Sequence, residues 1–166
     1  MILFLISLWI YYSMDKIDCK ILGLLQQDAT RSTTDIAAAV GLSSTPCWRR
    51  IQRLEERGVI RKRVALLSRR HLNLGVDVFV AVKSNYHTYE WLEAFSKTVS
   101  KFPEVVEFYR MAGESDYLLR VVVPDIPAFD NFYKKLVQSA DLADVSSSFA
   151  MEQIKYTTAL PLDYAG

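Results

Sequence analysis

The segment GLSSTPCWRRIQRLEER, residues 41–57, contains the pattern that decides the fold of the N-terminal half. Gly41 can take the left-handed conformation that ends a helix, and Ser43 is a residue type that often caps the start of the next one. Only a three-residue turn therefore separates two predicted helices. The apolar residues of the second helix recur at helical spacing and form one side: Cys47, Ile51 and Leu54.

The residues before this segment predict the rest of the unit. Asp15 is expected to cap a first helix, with Asp18 three positions later reaching back in a capping box. Ser32 or Thr33 is expected to cap a second, shorter helix that ends at Gly41. Three helices, of which the last follows a tight turn, are typical of a helix-turn-helix domain.

Charge is unevenly distributed along the chain. The whole sequence holds 20 Lys and Arg against 19 Asp and Glu. Residues 14–70 contain 12 basic and 6 acidic residues, so their net charge is +6, whereas residues 71–166 contain 8 basic and 13 acidic residues, so theirs is −5. Most basic helices are merely solvated, but one that follows a tight turn and carries this charge favours nucleic acid.

The outward side of the third helix carries the candidate contacts to DNA. At about 100° per residue it presents Thr45, Arg49 and Gln52, whose side chains suit base edges in the major groove. Arginines further round the helix, and beyond Gly58 in an expected pair of wing strands, are interpreted as phosphate contacts. Trp48 is compatible with stacking on DNA and with packing. The predicted DNA-contacting residues are Ser44, Thr45, Pro46, Trp48, Arg49, Arg50, Gln52, Arg53, Arg57, Arg61 and Arg63.

The second half predicts a different architecture. After a connector at residues 64–75, the apolar pattern follows the order β-α-β-β-α-β. Strands are expected at residues 76–83, 105–111, 117–123 and 145–154, with helices at residues 89–100 and after Asp125. This order predicts a ferredoxin-like α+β domain over residues 76–166. Two helices cover one face of such a sheet, yet its strands carry apolar residues on both, so a homodimer formed sheet to sheet is expected.

The sequence resembles a known family at these positions. STPCWRRI at residues 44–51, RLE at 53–55 and GVI at 58–60 look like the recognition helix and wing of the Lrp/AsnC (leucine-responsive/asparagine-regulator) transcription factors. The similarity covers about residues 14–162. It implies a winged helix-turn-helix over residues 14–63, a cytoplasmic transcriptional regulator, and dimers that gather into tetramers or octamers.

The loop Gly113-Glu114-Ser115-Asp116-Tyr117 supports two interpretations. It suits a plain hairpin turn, with Gly for backbone freedom and Asp as a local acceptor. The resemblance implies instead a pocket for an amino-acid effector between neighbouring subunits, with Gly113, Asp116 and Tyr117 as members and Ser147 of the last strand as a weaker candidate. No cofactor and no metal site is expected.

Other classes of protein compete with this hypothesis. We expect no enzyme, because neither His71 nor His87 has a partner at ligand or triad spacing and no GxSxG, HExxH or phosphate-binding loop is present. An architectural DNA-packaging protein stays open as the alternative. The apolar residues 1–12 would span about 18 Å as a helix, which is less than a bilayer core. We therefore interpret residues 1–13 as translated upstream sequence before a natural start at Met14, rather than as a membrane anchor.

Overall fold

A computed structural model describes residues 14–165 of the chain. The interpretation of residues 1–13 lies outside these described residues. By their contacts, residues 14–65 and 155–165 form one compact unit, and residues 66–154 form a second. Within the described residues, no helix is both long enough and apolar enough to cross a membrane.

The first unit is built on three helices: α1 (Lys16–Gln27), α2 (Thr33–Val40) and α3 (Ser44–Glu56). The predicted capping box forms at the start of α1. The Asp15 carboxylate accepts the Asp18 N–H at 2.8 Å, and the Asp18 side chain accepts the Asp15 N–H at 3.4 Å. Ser32 caps α2 through the Asp35 N–H, and Gly41 ends it with φ 74°. The turn that leads into α3 is therefore confirmed.

A small apolar core joins the three helices. Ile21 of α1 and Ile36 of α2 are almost fully buried. They pack with the predicted inward side of α3, namely Cys47, Ile51 and Leu54. Burial raises the pKa of the Cys47 thiol, which stays a neutral apolar group in this core. The inward side of α3 is thus confirmed, and its other side must face outward.

The segment after α3 differs from the prediction. The expected wing strands do not form, since the backbone between α3 and residue 69 contains turns and irregular structure in the described chain. All side chains of residues 61–68 are exposed there. The physical reason is visible in residues 59–72, which contain no Gly, Asn, Asp or Pro to reverse the chain into a hairpin. The unit is a helix-turn-helix without a wing of its own.

The C-terminal tail, residues 155–165, groups with the first unit, whereas the predicted second domain extended to residue 166. The Gln26 side chain donates to the Leu160 carbonyl and accepts the Leu160 N–H, both at 3.0 Å. Leu162 packs against the core of the three helices. The tail therefore adds an irregular segment to the helix-turn-helix.

The second unit is a four-stranded antiparallel sheet with two helices, in the predicted order β-α-β-β-α-β. A short 3-10 helix, Arg69–Leu72, precedes it. Its elements are β1 (Val76–Ser84), α4 (Tyr89–Val99), β2 (Val105–Arg110), β3 (Tyr117–Val123), α5 (Ile126–Ser139) and β4 (Leu142–Phe149). The strands lie side by side in the order β2-β3-β1-β4. The predicted α+β class is confirmed.

The last strand lies earlier than predicted, since β4 ends at Phe149 and not near residue 154. Phe149 lies opposite Val78, close to the start of β1, and the Ala150 N–H donates to the Asp77 carbonyl at 3.0 Å. Beyond that point only Val76 of β1 is left to pair. The length of β1 therefore ends β4, although the apolar pattern of the sequence continues.

The sheet has one covered face. Val78, Val80 and Val82 of β1 are fully buried against Phe95 of α4 and Phe132 of α5. The opposite face, which we call the open face, has no helix of this unit over it. Its apolar members, set by the strand register, are Phe79, Ala81, Tyr109, Leu118 and Val122. The predicted alternation of apolar residues on both faces is confirmed.

The open face also carries an ion network that was not predicted. Arg120 donates to Asp77 at 3.2 Å and to Glu107 at 2.7 Å, and Arg69 contacts Asp77 from the 3-10 helix. Asp77 is only 6% exposed. Removing one member of such a buried pair leaves a charge uncompensated, which is strongly unfavourable. The network therefore accounts for charged residues in the middle of an apolar face.

Candidate nucleic-acid interface and small-molecule pocket

The outward side of α3 is exposed. Trp48 has 51% of its surface accessible, which places it outside the core. Among the described residues, the guanidinium groups of Arg49 and Arg53 have no ion-pair partner. Nine of the predicted DNA contacts are exposed: Ser44, Thr45, Pro46, Trp48, Arg49, Arg53, Arg57, Arg61 and Arg63. This surface can accept a large, negatively charged partner without losing any contact of the core.

Two of the predicted contacts, Gln52 and Arg63, are engaged with the neighbouring Glu55. Gln52 Nε2 donates to Glu55 Oε2 at 3.1 Å, and Arg63 Nη2 donates to Glu55 Oε1 at 3.0 Å. The surface ion pair between Arg63 and Glu55 contributes about 1 kcal/mol or less, and a partly exposed hydrogen bond such as that of the neutral Gln52 amide contributes about 1 kcal/mol. Both side chains can therefore exchange Glu55 for a base or a phosphate at small cost.

Arg50 is placed differently from the other arginines of α3. Its Nη1 lies 2.7 Å from Asp15 Oδ2 and 2.7 Å from Asp18 Oδ1. Asp18 is only 1% exposed. Hydrogen bonds from the Asp18 N–H and then from Arg50 hold the pKa of Asp15 below its ordinary value. Arg50 thus connects the middle of α3 to the start of α1 and positions the helix, so a phosphate contact by Arg50 would require it to leave these two carboxylates.

The sequence contains a signal for this placement that the prediction of DNA contacts did not use. Arg50 lies three residues after Cys47 and four before Leu54, so it falls on the inward side of α3. A charged residue on an inward stripe requires a partner of opposite charge. The two acids of the predicted capping box were the available candidates.

A cavity of about 210 Å³ lies in the second unit, where β2, β3 and the start of α4 meet. Its lining residues are His87, Thr88, Tyr89, Leu92, Arg110, Met111, Asp116 and Tyr117. Two of the predicted effector contacts, Asp116 and Tyr117, are among them. A second, wider depression lies between the end of α5 and β4, and none of the predicted site residues lines it.

Asp116 serves the fold and the cavity at once. Its Oδ2 accepts the Ser84 N–H at 2.8 Å, which closes the end of β1, and its Oδ1 lies 3.9 Å from His87 Nδ1. Tyr117 is 5% exposed, and the centroid of its ring lies 5.1 Å from the centroid of the Phe95 ring. Burial raises the pKa of the Tyr117 phenol. The turn interpretation of this loop and the pocket interpretation are therefore compatible.

The other two predicted effector contacts lie outside this cavity. Gly113 has φ 150°, a conformation that favours glycine in the hairpin between β2 and β3. Ser147 lies opposite Val80 on β4, and its buried hydroxyl has no hydrogen-bond partner among the described residues. The cavity of a single chain thus brings together half of the predicted set.

Comparison with known proteins identifies the family. Residues 14–55 match the AsnC-type helix-turn-helix domain, and residues 77–160 match the Lrp/AsnC ligand binding domain. The chain belongs to the Lrp/AsnC family. The Lrp/AsnC match spans both units and confirms the resemblance seen in the sequence.

Individual Lrp/AsnC proteins match over nearly their whole length. The DNA-binding transcriptional activator DecR of Escherichia coli strain K12 is 53% identical over 151 residues, which cover 90% of this chain and 99% of DecR. The crystal structure of an AsnC family transcriptional regulator from Agrobacterium tumefaciens has a TM-score of 0.89 and 62% identity, covering 91% of this chain and 99% of that one. The regulator NMB0573 of Neisseria meningitidis, solved as a complex with L-Met, has a TM-score of 0.86 and 38% identity, covering 90% and 97%.

This Lrp/AsnC protein is accordingly a DNA-binding transcriptional regulator and not an enzyme, as predicted. Within residues 14–165, no group of three or more His, Cys, Asp or Glu side chains is placed to hold a metal ion. The individual DNA and effector contacts stay predictions.

We expect Arg50→Ala to lower the free energy of unfolding of this Lrp/AsnC regulator by about 2 to 3 kcal/mol. Breaking a fully buried pair costs about 3 to 5 kcal/mol, and Arg50 is partly exposed. Arg53→Ala, on the exposed side of the same helix, is the matched control and should stay within about 0.5 kcal/mol. Urea unfolding at neutral pH measures both values, and equal losses would contradict the positioning role of Arg50.

The same measurement in acid gives an independent check. The pKa of Asp15 is lower in the folded state than in the unfolded state. The ionised Asp15 carboxylate therefore contributes fully to the free energy of unfolding above its unfolded pKa of about 4, and this contribution is lost as the pH falls through the folded pKa. The difference between wild type and Arg50→Ala should therefore shrink below about pH 4.

Proposed function

We propose that this protein binds specific operator DNA through α3 as a homo-oligomer, and that an amino acid bound by its second unit regulates this binding. The proposal rests on the outward side of α3, whose basic and hydrogen-bonding side chains are exposed while its apolar side is buried. Its place of action is the cytoplasm, where chromosomal DNA would be available to it.

The side chains of α3 are proposed to divide between two kinds of DNA contact. Thr45, Arg49 and Gln52 lie on the outward side, where an inserted helix meets base edges. Arg57 and Arg61 follow the end of the helix and suit phosphates, which provide affinity without sequence preference. Specific regulation needs the first kind, whereas the alternative function, DNA packaging, needs only the second.

Arg49→Ala tests this division. We expect the substitution to weaken the free energy of binding by about 1 to 3 kcal/mol at a preferred site and by little on random duplex DNA, because a bidentate contact to a base is lost. Arg61→Ala is the control for phosphate contact: it should weaken both complexes alike and reduce the salt dependence of binding. Competition gels with a selected site and random duplex measure these values.

The competition also separates regulator from packaging protein. A specific regulator should prefer its site by about 10³-fold or more over random duplex. A wild-type protein without such a preference would favour packaging. An Arg49→Ala variant that weakens all sequences equally would reassign Arg49 to a phosphate.

The open face is proposed to be the dimer interface. It exposes Phe79 and Tyr109 to 40% and 51%, although both aromatic residues belong to strands of the sheet. Exposing an apolar face to water is unfavourable, so a face that no element of its own unit covers is expected to be buried against another surface. A second copy of the chain supplies an identical apolar face for this purpose. A dimer also suits DNA, because two recognition helices about 34 Å apart enter successive major grooves.

Phe79→Glu should convert the dimer to monomers. An isologous interface buries the new carboxylate twice, and each unpaired buried charge costs several kcal/mol. Val137→Glu is the matched control, because Val137 is 37% exposed on α5, away from the open face, and should leave the dimer intact. Sedimentation velocity at micromolar concentration measures the mass, and a dimeric Phe79→Glu would exclude the open face as the interface.

The cavity beside Asp116 is proposed as part of the effector site. Asp116 supplies a carboxylate that can pair with an α-ammonium group. The regulator NMB0573, solved with L-Met, matches this chain over both units and supports an amino acid as the class of ligand. The effector is proposed to act by linkage: it shifts the assembly towards the form that it binds more tightly, typically by about 1 to 3 kcal/mol.

Asp116→Asn should abolish the response of DNA binding to the amino acid while leaving binding without effector nearly unchanged. The amide oxygen can still accept the Ser84 N–H, so the end of β1 is kept and only the negative charge is lost. Glu114→Gln, at an exposed position in the same hairpin, is the control. Gel retardation titrated with each of the twenty L-amino acids measures the response. If the Asp116→Asn variant still responds, Asp116 does not bind the effector and the loop serves only as a hairpin turn.

A further inference from the structure

The cavity beside Asp116 contains a second charged group that the predictions did not include. Arg110, the last residue of β2, lines the cavity and lies directly opposite Tyr117 of β3. Residues opposite each other on antiparallel strands have Cβ atoms about 5 Å apart, so Arg110 projects on the same face as the Tyr117 ring. The nearby guanidinium also lowers the pKa of the Tyr117 phenol, against the larger effect of burial.

The guanidinium of Arg110 forms no ion pair and no side-chain hydrogen bond within residues 14–165. This distinguishes it from Arg120 on the same sheet, which is paired with Asp77 and Glu107. Asp116 lines the same cavity, but its carboxylate is directed to the Ser84 N–H and towards His87. The cavity thus holds a cation and an anion that do not pair with each other.

We propose that Arg110 binds the α-carboxylate of the effector while Asp116 receives its α-ammonium group. This assignment rests on the proposed amino-acid effector and deepens it, because it makes the zwitterionic backbone of the ligand the feature that is recognised. The side chain of the ligand would pack against the apolar residues of the cavity lining, Leu92 and Met111.

The size and chemistry of the cavity agree with this assignment. Its volume of about 210 Å³ is below the roughly 300 to 1,000 Å³ of sites for drug-sized molecules, so it suits a molecule as small as an amino acid. Arginine presents a planar fork of N–H donors that matches a carboxylate in bidentate geometry. An α-carboxylate and the side-chain carboxylate of an acidic amino acid share this chemistry, and the experiment must separate them.

The test uses the full chain and compares three forms of one ligand. The twenty L-amino acids are first screened by thermal shift, and the strongest binder is then compared with its α-carboxamide and with its N-acetyl derivative by calorimetry. The wild type should bind the free amino acid at least about tenfold more tightly than either derivative, because each derivative lacks one charge-assisted contact.

Arg110→Gln should weaken the free amino acid by at least about tenfold and leave the α-carboxamide unchanged, so that the preference between them disappears. Arg110→Lys keeps the charge without the fork and should retain part of the preference. Lys97→Gln, which removes a charge from the exposed side of α4, is the matched control and should bind like the wild type.

The outcomes separate this assignment from the proposed function. If no amino acid binds the wild type, the effector part of the proposed function fails and the role of Arg110 fails with it. If an amino acid binds but Arg110→Gln binds it equally well, the proposed function stands and Arg110 is excluded. If the wild type binds the α-carboxamide as tightly as the acid, Arg110 does not contact the α-carboxylate. Equal weakening of acid and carboxamide in Arg110→Gln would show a structural effect only.

Discussion

The anchoring of α3 is the constraint on which the proposed DNA contacts depend. Its buried apolar side holds the helix against α1 and α2, but apolar contacts alone restrict sliding and rotation weakly because they have little directionality. Arg50 adds a directional restraint, since its hydrogen-bonded ion pairs with the capping box of α1 tolerate only a narrow range of geometry. The capping residues of α1 therefore fix the orientation of the exposed arginines of α3, on which the proposed DNA contacts depend.

The second unit is governed by a different constraint, because α4 and α5 pack on the same side of the sheet. The covered face uses this contact to form an aromatic and aliphatic core. The open face combines exposed Phe79 with the network of Asp77, Glu107 and Arg120. A network that is satisfied within one chain brings no unpaired charge to a partner surface, so it is compatible with a buried interface. It also restricts which partner fits, since a second surface must accommodate the network without separating its members.

Sequence patterns predicted the parts of this protein whose signals are local or periodic. The capping box at Asp15, the left-handed Gly41 and the alternation of β1 depend on residues close to one another in the chain. The prediction of wing strands was wrong because residues 59–72 contain no Gly, Asn, Asp or Pro that could reverse the chain between two strands. The contact between Arg120 and Asp77 joins residues 43 positions apart, and it has no periodic signal. The cavity likewise depends on which strands become neighbours, so Arg110 could be recognised as a candidate only after the register of β2 and β3 was known.

Within the second unit, the distance between the cavity and the point where the chain enters the sheet follows from the length of β1. Asp116 closes the C-terminal end of this strand at Ser84, whereas the chain enters the sheet at its N-terminal end, beside the last residues of β4. Nine residues of strand separate the two ends by about 27 to 30 Å. Because β1 is paired on both sides, it is a rigid element that a small ligand cannot extend or bend at low cost. The proposed effector is therefore expected to act on how copies of the chain assemble, because deforming β1 would cost more. This is why we place the proposed coupling in the assembly, where a differential affinity of about 1 to 3 kcal/mol is sufficient to change the populations.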